Sequence, residues 1–171
     1  MKRSRAFVLS FFCFLTLPIV QAAYNSSIAD ATTIMNFLGN PGSFRQMYSL
    51  LQETRVDILF NKPTLVSGGP YTIFAPTDDA FAKFGRVGLL SGKAHAELLK
   101  TFVKFHILQG RRRKKSFRNG VRMRTFAGEV LEINEKEIGN ILYSIDIANS
   151  VIHVTDKVLV CPSLKSMLKV Q

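Results

Sequence analysis

The chain is short of cysteine, histidine and acid. Only Cys13 and Cys161 are present among 171 residues, so no multi-bridge disulfide framework can hold the fold together. Three histidines, His95, His106 and His153, are dispersed with no cysteine at ligand spacing, which leaves no zinc-site pattern. Twelve Asp and Glu face 23 Lys and Arg, giving a formal charge of +11 and a bias toward anionic partners. Neither Gly-x-Ser-x-Gly nor His-Glu-x-x-His occurs. The stretch Gly88 to Ala94 only superficially suggests a phosphate loop. Three residues rather than four separate its glycines, Ala94 replaces the magnesium-binding hydroxyl, and it follows a helix rather than a strand.

What is present begins with a leader. Lys2, Arg3 and Arg5 precede an apolar run from Ala6 to Val20, and Val20 and Ala22 sit at −3 and −1 of a cleavage site before Ala23. The run is broken by Pro18 and is shorter than the roughly 20 residues a spanning helix needs. Residues 1–22 therefore read as a signal peptide, and the mature chain as a secreted protein in an extracellular, periplasmic or cell-surface location. Cys13 lies inside the apolar run, the wrong place for a lipidated cysteine. The mature 149 residues carry a formal charge of +8 and Cys161 alone, so no intrachain disulfide forms. One domain of that length buries roughly 70% of its unfolded surface by packing. No later stretch is long and apolar enough to span a bilayer. Asn25-Ser26-Ser27 fits a glycosylation acceptor in a eukaryotic host.

Helical spacing dominates the first half. A helix is expected over 29–38, ending before Gly39-Asn40-Pro41-Gly42, and Ser43 is placed to cap another that runs to Phe60. Tyr71 to Ala75 reads as a short buried strand, and Thr77 as the N-cap of a helix whose first turn holds Asp78 and Asp79. Ala94 to Ile107 is the clearest amphipathic helix. Beyond Gly110 the spacing changes to alternation. Strands are expected at Val121–Thr125, Glu129–Ile133, Ile141–Ile147, Val151–Val154 and Val158–Val160, with a turn at Asn119-Gly120. The expected class is α+β with a mostly antiparallel sheet.

Three stretches, in order and spacing, resemble the fasciclin domain family. Tyr71-Thr72-Ile73-Phe74-Ala75-Pro76-Thr77-Asp78-Asp79-Ala80-Phe81 is similar to its first signature. Val103 to Gly110 resembles its tyrosine-histidine motif, with Phe105 where the tyrosine is usual. Asn149 to Leu159 resembles its second signature, with Ser150 in place of a glycine, which puts the turn geometry there in question. The resemblance implies a fasciclin-like wedge of two small β-sheets with packed helices over residues 30–162, flanked by a tail at 23–29 and another at 163–171. It also implies a non-enzymatic module that attaches to a cell-surface or matrix component. The family's adhesive positions fall here on Phe105, His106, Ile152, His153, Asp156 and Leu159.

Asn119-Gly120, with Thr125-Phe126-Ala127-Gly128 after it, also falls where the family has its hairpin, whereas Arg111 to Lys115 are no part of the family's pattern. With Arg118, Arg122 and Arg124 they put eight cations into 14 residues with no acid among them. A hairpin turning at Asn119-Gly120 would set the two halves of this run side by side. The patch would suit acidic polysaccharide or anionic lipid headgroups, or else would serve as a solvated edge that blocks strand aggregation. Nucleic acid is disfavoured, because only Phe117 and Phe126 interleave the charges. Two rival functions stay open. One is an envelope enzyme using Asp78, Asp79 and His106, although adjacent acids on a helix diverge by about 100°. The other is a structural or homotypic role through Cys161. A monomer without metal or cofactor is expected.

Overall fold

A computed structural model describes residues 34–40, 42–60, 70–86, 88, 95–147 and 150–169. The residues read as a leader, Asn25, the start of the helix expected over 29–38 and most of the 88–94 stretch lie outside the described residues.

The frame is a four-stranded sheet. Its strands are β1 (Tyr71–Pro76), β2 (Ile107–Gln109), β5 (Ile141–Ile147) and β6 (Ser150–Thr155), in spatial order β2-β1-β6-β5. The two central strands run parallel, with Thr72 beside Val151 and Ala75 beside Val154, while both outer pairings are antiparallel. All six residues of β1 and all six of β6 are buried. Strands covered on both faces read as continuous apolar runs rather than alternation. A separate hairpin pairs β3 (Val121–Arg124) with β4 (Val130–Ile133). It is tied to β2 by the Phe126 N–H to Ile107 carbonyl bond of 2.9 Å. The class is thus α+β with two small, mostly antiparallel sheets, as expected.

Helices α1 (Arg45–Glu53), α2 (Asp78–Phe84), α3 (Ala96–Phe105), α4 (Glu135–Ile138) and α5 (Pro162–Lys169) complete the layout, together with helical residues 34–39. One continuous core holds Leu51, Ile73, Phe102, Val103, Ile107, Ile152, Leu159 and Leu164, each at most 1% exposed. Leu164 belongs to α5, so residues 163–169 of the stretch read as a C-terminal tail lie in a helix seated on the core.

Four local expectations are corrected. The helix after Ser43 starts at Arg45, with Phe44 in the cap position and no cap from its side chain. Asp78 supplies that cap from 32 residues away, accepting from Gln46 N–H at 2.9 Å and, more weakly, from Arg45 N–H at 3.3 Å. The helix then breaks at Thr54-Arg55, where Arg55 is left-handed (φ 57°), and resumes as a 3-10 turn at Val56–Leu59. The amphipathic helix stops at Phe105, because Ile107 pairs with Ile73 at the start of β2. Val158 to Val160 form no strand: the Leu159 N–H is taken by the His106 ring instead of a ladder. Asn119-Gly120 is not the hairpin turn; the chain reverses at 125–129, where Gly128 has φ 81°. Arg111 to Arg118 consequently do not pair with Arg122 and Arg124.

Candidate functional site

His106 closes α3 and is fully buried. The Leu159 N–H can only donate, so Nε2 accepts from it at 3.1 Å. Nδ1 therefore carries the proton and donates to the Phe102 carbonyl at 2.9 Å. Burial drives the imidazole down to about 4, against a smaller opposing pull from that carbonyl. The side chain is a neutral clamp between α3 and the segment after β6. An enzyme using it with Asp78 and Asp79 would need an open imidazole, whereas this one is enclosed and Asp78 is engaged at the start of α1.

The other positions of the family's adhesive motifs divide in the same way. Phe105, Ile152 and Leu159 are core side chains. Ser150, where the family has glycine, opens β6 without strain, and its hydroxyl accepts from the Tyr71 N–H at 3.0 Å. His153 and Asp156 are placed differently: each holds a surface segment against the sheet.

His153 shares a sheet face with Thr72 and Phe74, and residues 110–117 lie across that face. A carbonyl only accepts, so His153 Nε2 donates to the Arg112 carbonyl at 2.6 Å while Nδ1 accepts from Ser144 Oγ at 2.7 Å. The Arg112 N–H donates to Thr72 Oγ1 at 2.7 Å, and Thr72 Oγ1 donates to the Gly110 carbonyl at 2.6 Å. Phe117 packs edge-on to His153 with centroids 5.1 Å apart and also meets Phe74. Burial lowers the His153 pKa, against the pull of the Arg112 carbonyl and Asp146. The basic run is therefore pinned through its own backbone.

Its side chains are left outside. Arg112, Arg113, Lys114, Lys115, Arg118, Arg122 and Arg124 are exposed, and Arg111 is partly so. Arg122 and Arg124 share the outer face of β3, with Glu132 opposite Arg122. Among the described residues one acid forms salt bridges with the run. Asp146, on edge strand β5, meets Arg111 at 2.9 Å and Arg113 at 3.4 Å. The Arg111 hydrogen bond, followed by the charges of both arginines, lowers the Asp146 pKa. Sequence reasoning missed Asp146 as a member of this site, because nothing local to β5 marks its partners 33 to 35 residues earlier.

Asp156 follows β6 and takes both the backbone and side-chain N–H of Asn140, at 2.7 and 2.8 Å. These two bonds lower its pKa. Gly139, at φ 67°, lies so close that a Cβ there would stand 2.5 Å from Lys157 Cβ and 2.6 Å from Asp156 Oδ1. Cys161 is buried, and burial pushes its thiol up to about 11, so it is not placed for disulfide exchange. Among the described residues no three His, Cys, Asp or Glu side chains gather as metal ligands, and no helix is long and apolar enough to cross a membrane.

Phe105, His106, Ile152 and Leu159 thus build the core of the two-sheet fold, and the basic segment lies at its surface. The chain matches the fasciclin domain over residues 42–161 and belongs to that family. It is 32% identical over 108 residues to "Protein sll1483" of Synechocystis sp., an alignment covering 57% of this chain and 59% of that protein. It is 28% identical over 149 residues to Stabilin-1 of Homo sapiens, covering 80% of this chain but 6% of that protein. The chain thus spans less than two thirds of the length of both relatives.

Proposed function

We propose that this chain is an exported, non-enzymatic binding module that attaches to a cell-surface or matrix component and uses its basic segment to hold a polyanionic partner. Membership of the fasciclin family, a class of adhesion and binding domains, supports the general role. The observation that carries the polyanion reading is the pinned segment 111–118. Its backbone is fixed by Thr72 and His153, seven of the eight cations in 111–124 are exposed, and Asp146 is the acid that pairs with it among the described residues. Cations carried on an anchored backbone lose less conformational freedom on binding than those of a loose basic tail would. The resemblance to a leader at residues 1–22 supports export.

The test uses Arg112, Lys115 and Arg118, which lie outside the Asp146 pairs. Retention of the mature chain on immobilised heparin is compared with that of an Arg112→Ala/Lys115→Ala/Arg118→Ala variant as salt rises. Screening weakens exposed charge contacts, so the wild type should elute at clearly higher salt than the variant. Equal elution would remove the polyanionic partner from this reading.

A further inference from the structure

Beside the basic segment lies an open groove of about 610 Å³, within the size range of small-ligand sites. One wall is Lys114, Phe117 and Asn119; the other runs from Ile133 through Glu135 and Ile138 to Asn140 and Ile141. We propose that this groove binds one or two rings of an acidic saccharide, with further acidic rings of the same chain following the exposed cations of 111–118. The inference rests on the binding-module reading and names the chemistry of its ligand.

Two features select a sugar over a denser anion. The groove has an apolar lining in which the half-buried Phe117 and Ile141 present their edges over the buried Ile133 and Ile138, suited to the C–H face of a pyranose ring. Its polar groups are mixed rather than uniformly cationic. Lys114 reaches across to the Ile141 carbonyl at 3.1 Å with one of its three N–H donors, leaving two for a carboxylate. Asn119 and the Asn140 side-chain carbonyl can pair with hydroxyls, and Glu135 can accept from them. Glu135 would repel a phosphate-dense polymer, whereas a ring with one carboxylate and several hydroxyls can turn its hydroxyls toward it. The groove is also preformed: Asp156 clamps Asn140, Gly139 sits in tight contact with Lys157, and Phe117 rests on His153. The two second-signature residues that hold surface segments, His153 and Asp156, thus each stand behind one wall.

The probe is trigalacturonate, with tripolyphosphate and phosphatidylserine vesicles as the other arms, titrated into the mature chain near 0.15 M salt. Two blocking variants are compared, Asn119→Trp and Glu135→Trp, at exposed positions on opposite walls. Trigalacturonate should shift the amide resonances of Phe117, Asn119, Gly139 and Asn140. Each variant that keeps the native melting transition should bind it at least about tenfold more weakly, a loss of roughly 1.4 kcal/mol. Glu135→Trp is the sharper of the two, because removing an acid should tighten binding if charge alone were responsible. Tripolyphosphate should bind the two variants no more weakly than the wild type. Undiminished trigalacturonate binding in the variants, equal loss for tripolyphosphate, or vesicles shifting the same amides would overturn the groove assignment. Heparin retention that depends on Arg112, Lys115 and Arg118 while trigalacturonate fails to bind would sink the groove alone. Trigalacturonate binding with salt-independent heparin behaviour would instead sink the basic-segment reading.

Discussion

Acidification should destabilise this domain from about pH 6.5 downward, and His106 is the main reason. Its imidazole titrates at about 4 in the folded protein, against about 6.5 in an unfolded chain. The folded state therefore binds fewer protons than the unfolded one between those values, and stability falls as pH drops through that window. Above pH 6.5 both states are neutral at this position and the term vanishes. Fully developed at pH 4, the gap corresponds to about 3 kcal/mol, a large share of the roughly 5–15 kcal/mol a domain has. In mid-window the slope is about 1.4 kcal/mol per pH unit for one proton. His153, lowered by its own burial, acts in the same direction. Asp146 and Asp156 are lowered below the ordinary carboxylate value, so the stability they contribute is lost only at still lower pH. Urea unfolding at pH 7.5, 6.5, 5.5 and 4.5 measures the slope directly. A His106→Gln variant can keep a donor and an acceptor without titrating; it should be less stable at pH 7.5 but visibly flatter in its pH dependence. A wild type of constant stability from pH 7.5 to 4.5, or a variant with an undiminished slope, would refute the linkage.

Asp78→Ala should cost about 1–2 kcal/mol, because α1 loses the carboxylate that caps it, while Asp79→Ala at the exposed neighbouring position should change the melting temperature little. Gly139→Ala should destabilise by more than about 1 kcal/mol, since the new Cβ meets Lys157 at 2.5 Å; Gly120→Ala, equally left-handed but facing open space, should cost less. Asp146→Asn releases Arg111 and Arg113 and should raise the salt needed to elute the protein from heparin, with a nearly unchanged melting temperature. Cys161 should resist a thiol reagent in the native protein and react at the rate of unfolding.

What could be read from the sequence was whatever its near neighbours determine. Thr77 caps α2 through the Ala80 N–H three residues on, and Arg122 and Arg124 share a face because strand geometry places residues two apart together. His106 was legible as a core histidine bonded to backbone, because it falls one turn after Phe102 on an apolar face. What was illegible depends on distant partners. The cap on α1 comes from Asp78, the end of α3 is decided by Ile73, and Leu159 leaves strand geometry for a ring nitrogen 53 residues away. The basic run was legible as a surface feature but not as a pinned one. Its anchors, Thr72 and His153, sit in strands whose neighbours say nothing about residue 112.

The parallel pairing at the centre of the sheet has a kinetic consequence. Thr72 and Val151, side by side in the finished fold, are separated by most of the described chain. A ribosome or translocon delivers β1 long before the strand that completes it, and until β6 arrives β1 has an unfilled edge in the middle of the core. Such remote pairings pay their closure entropy late and put folding on the slower side for a domain of this size. A nascent chain that has not yet released residues 150–155 is consequently held open, its first central strand waiting on the last.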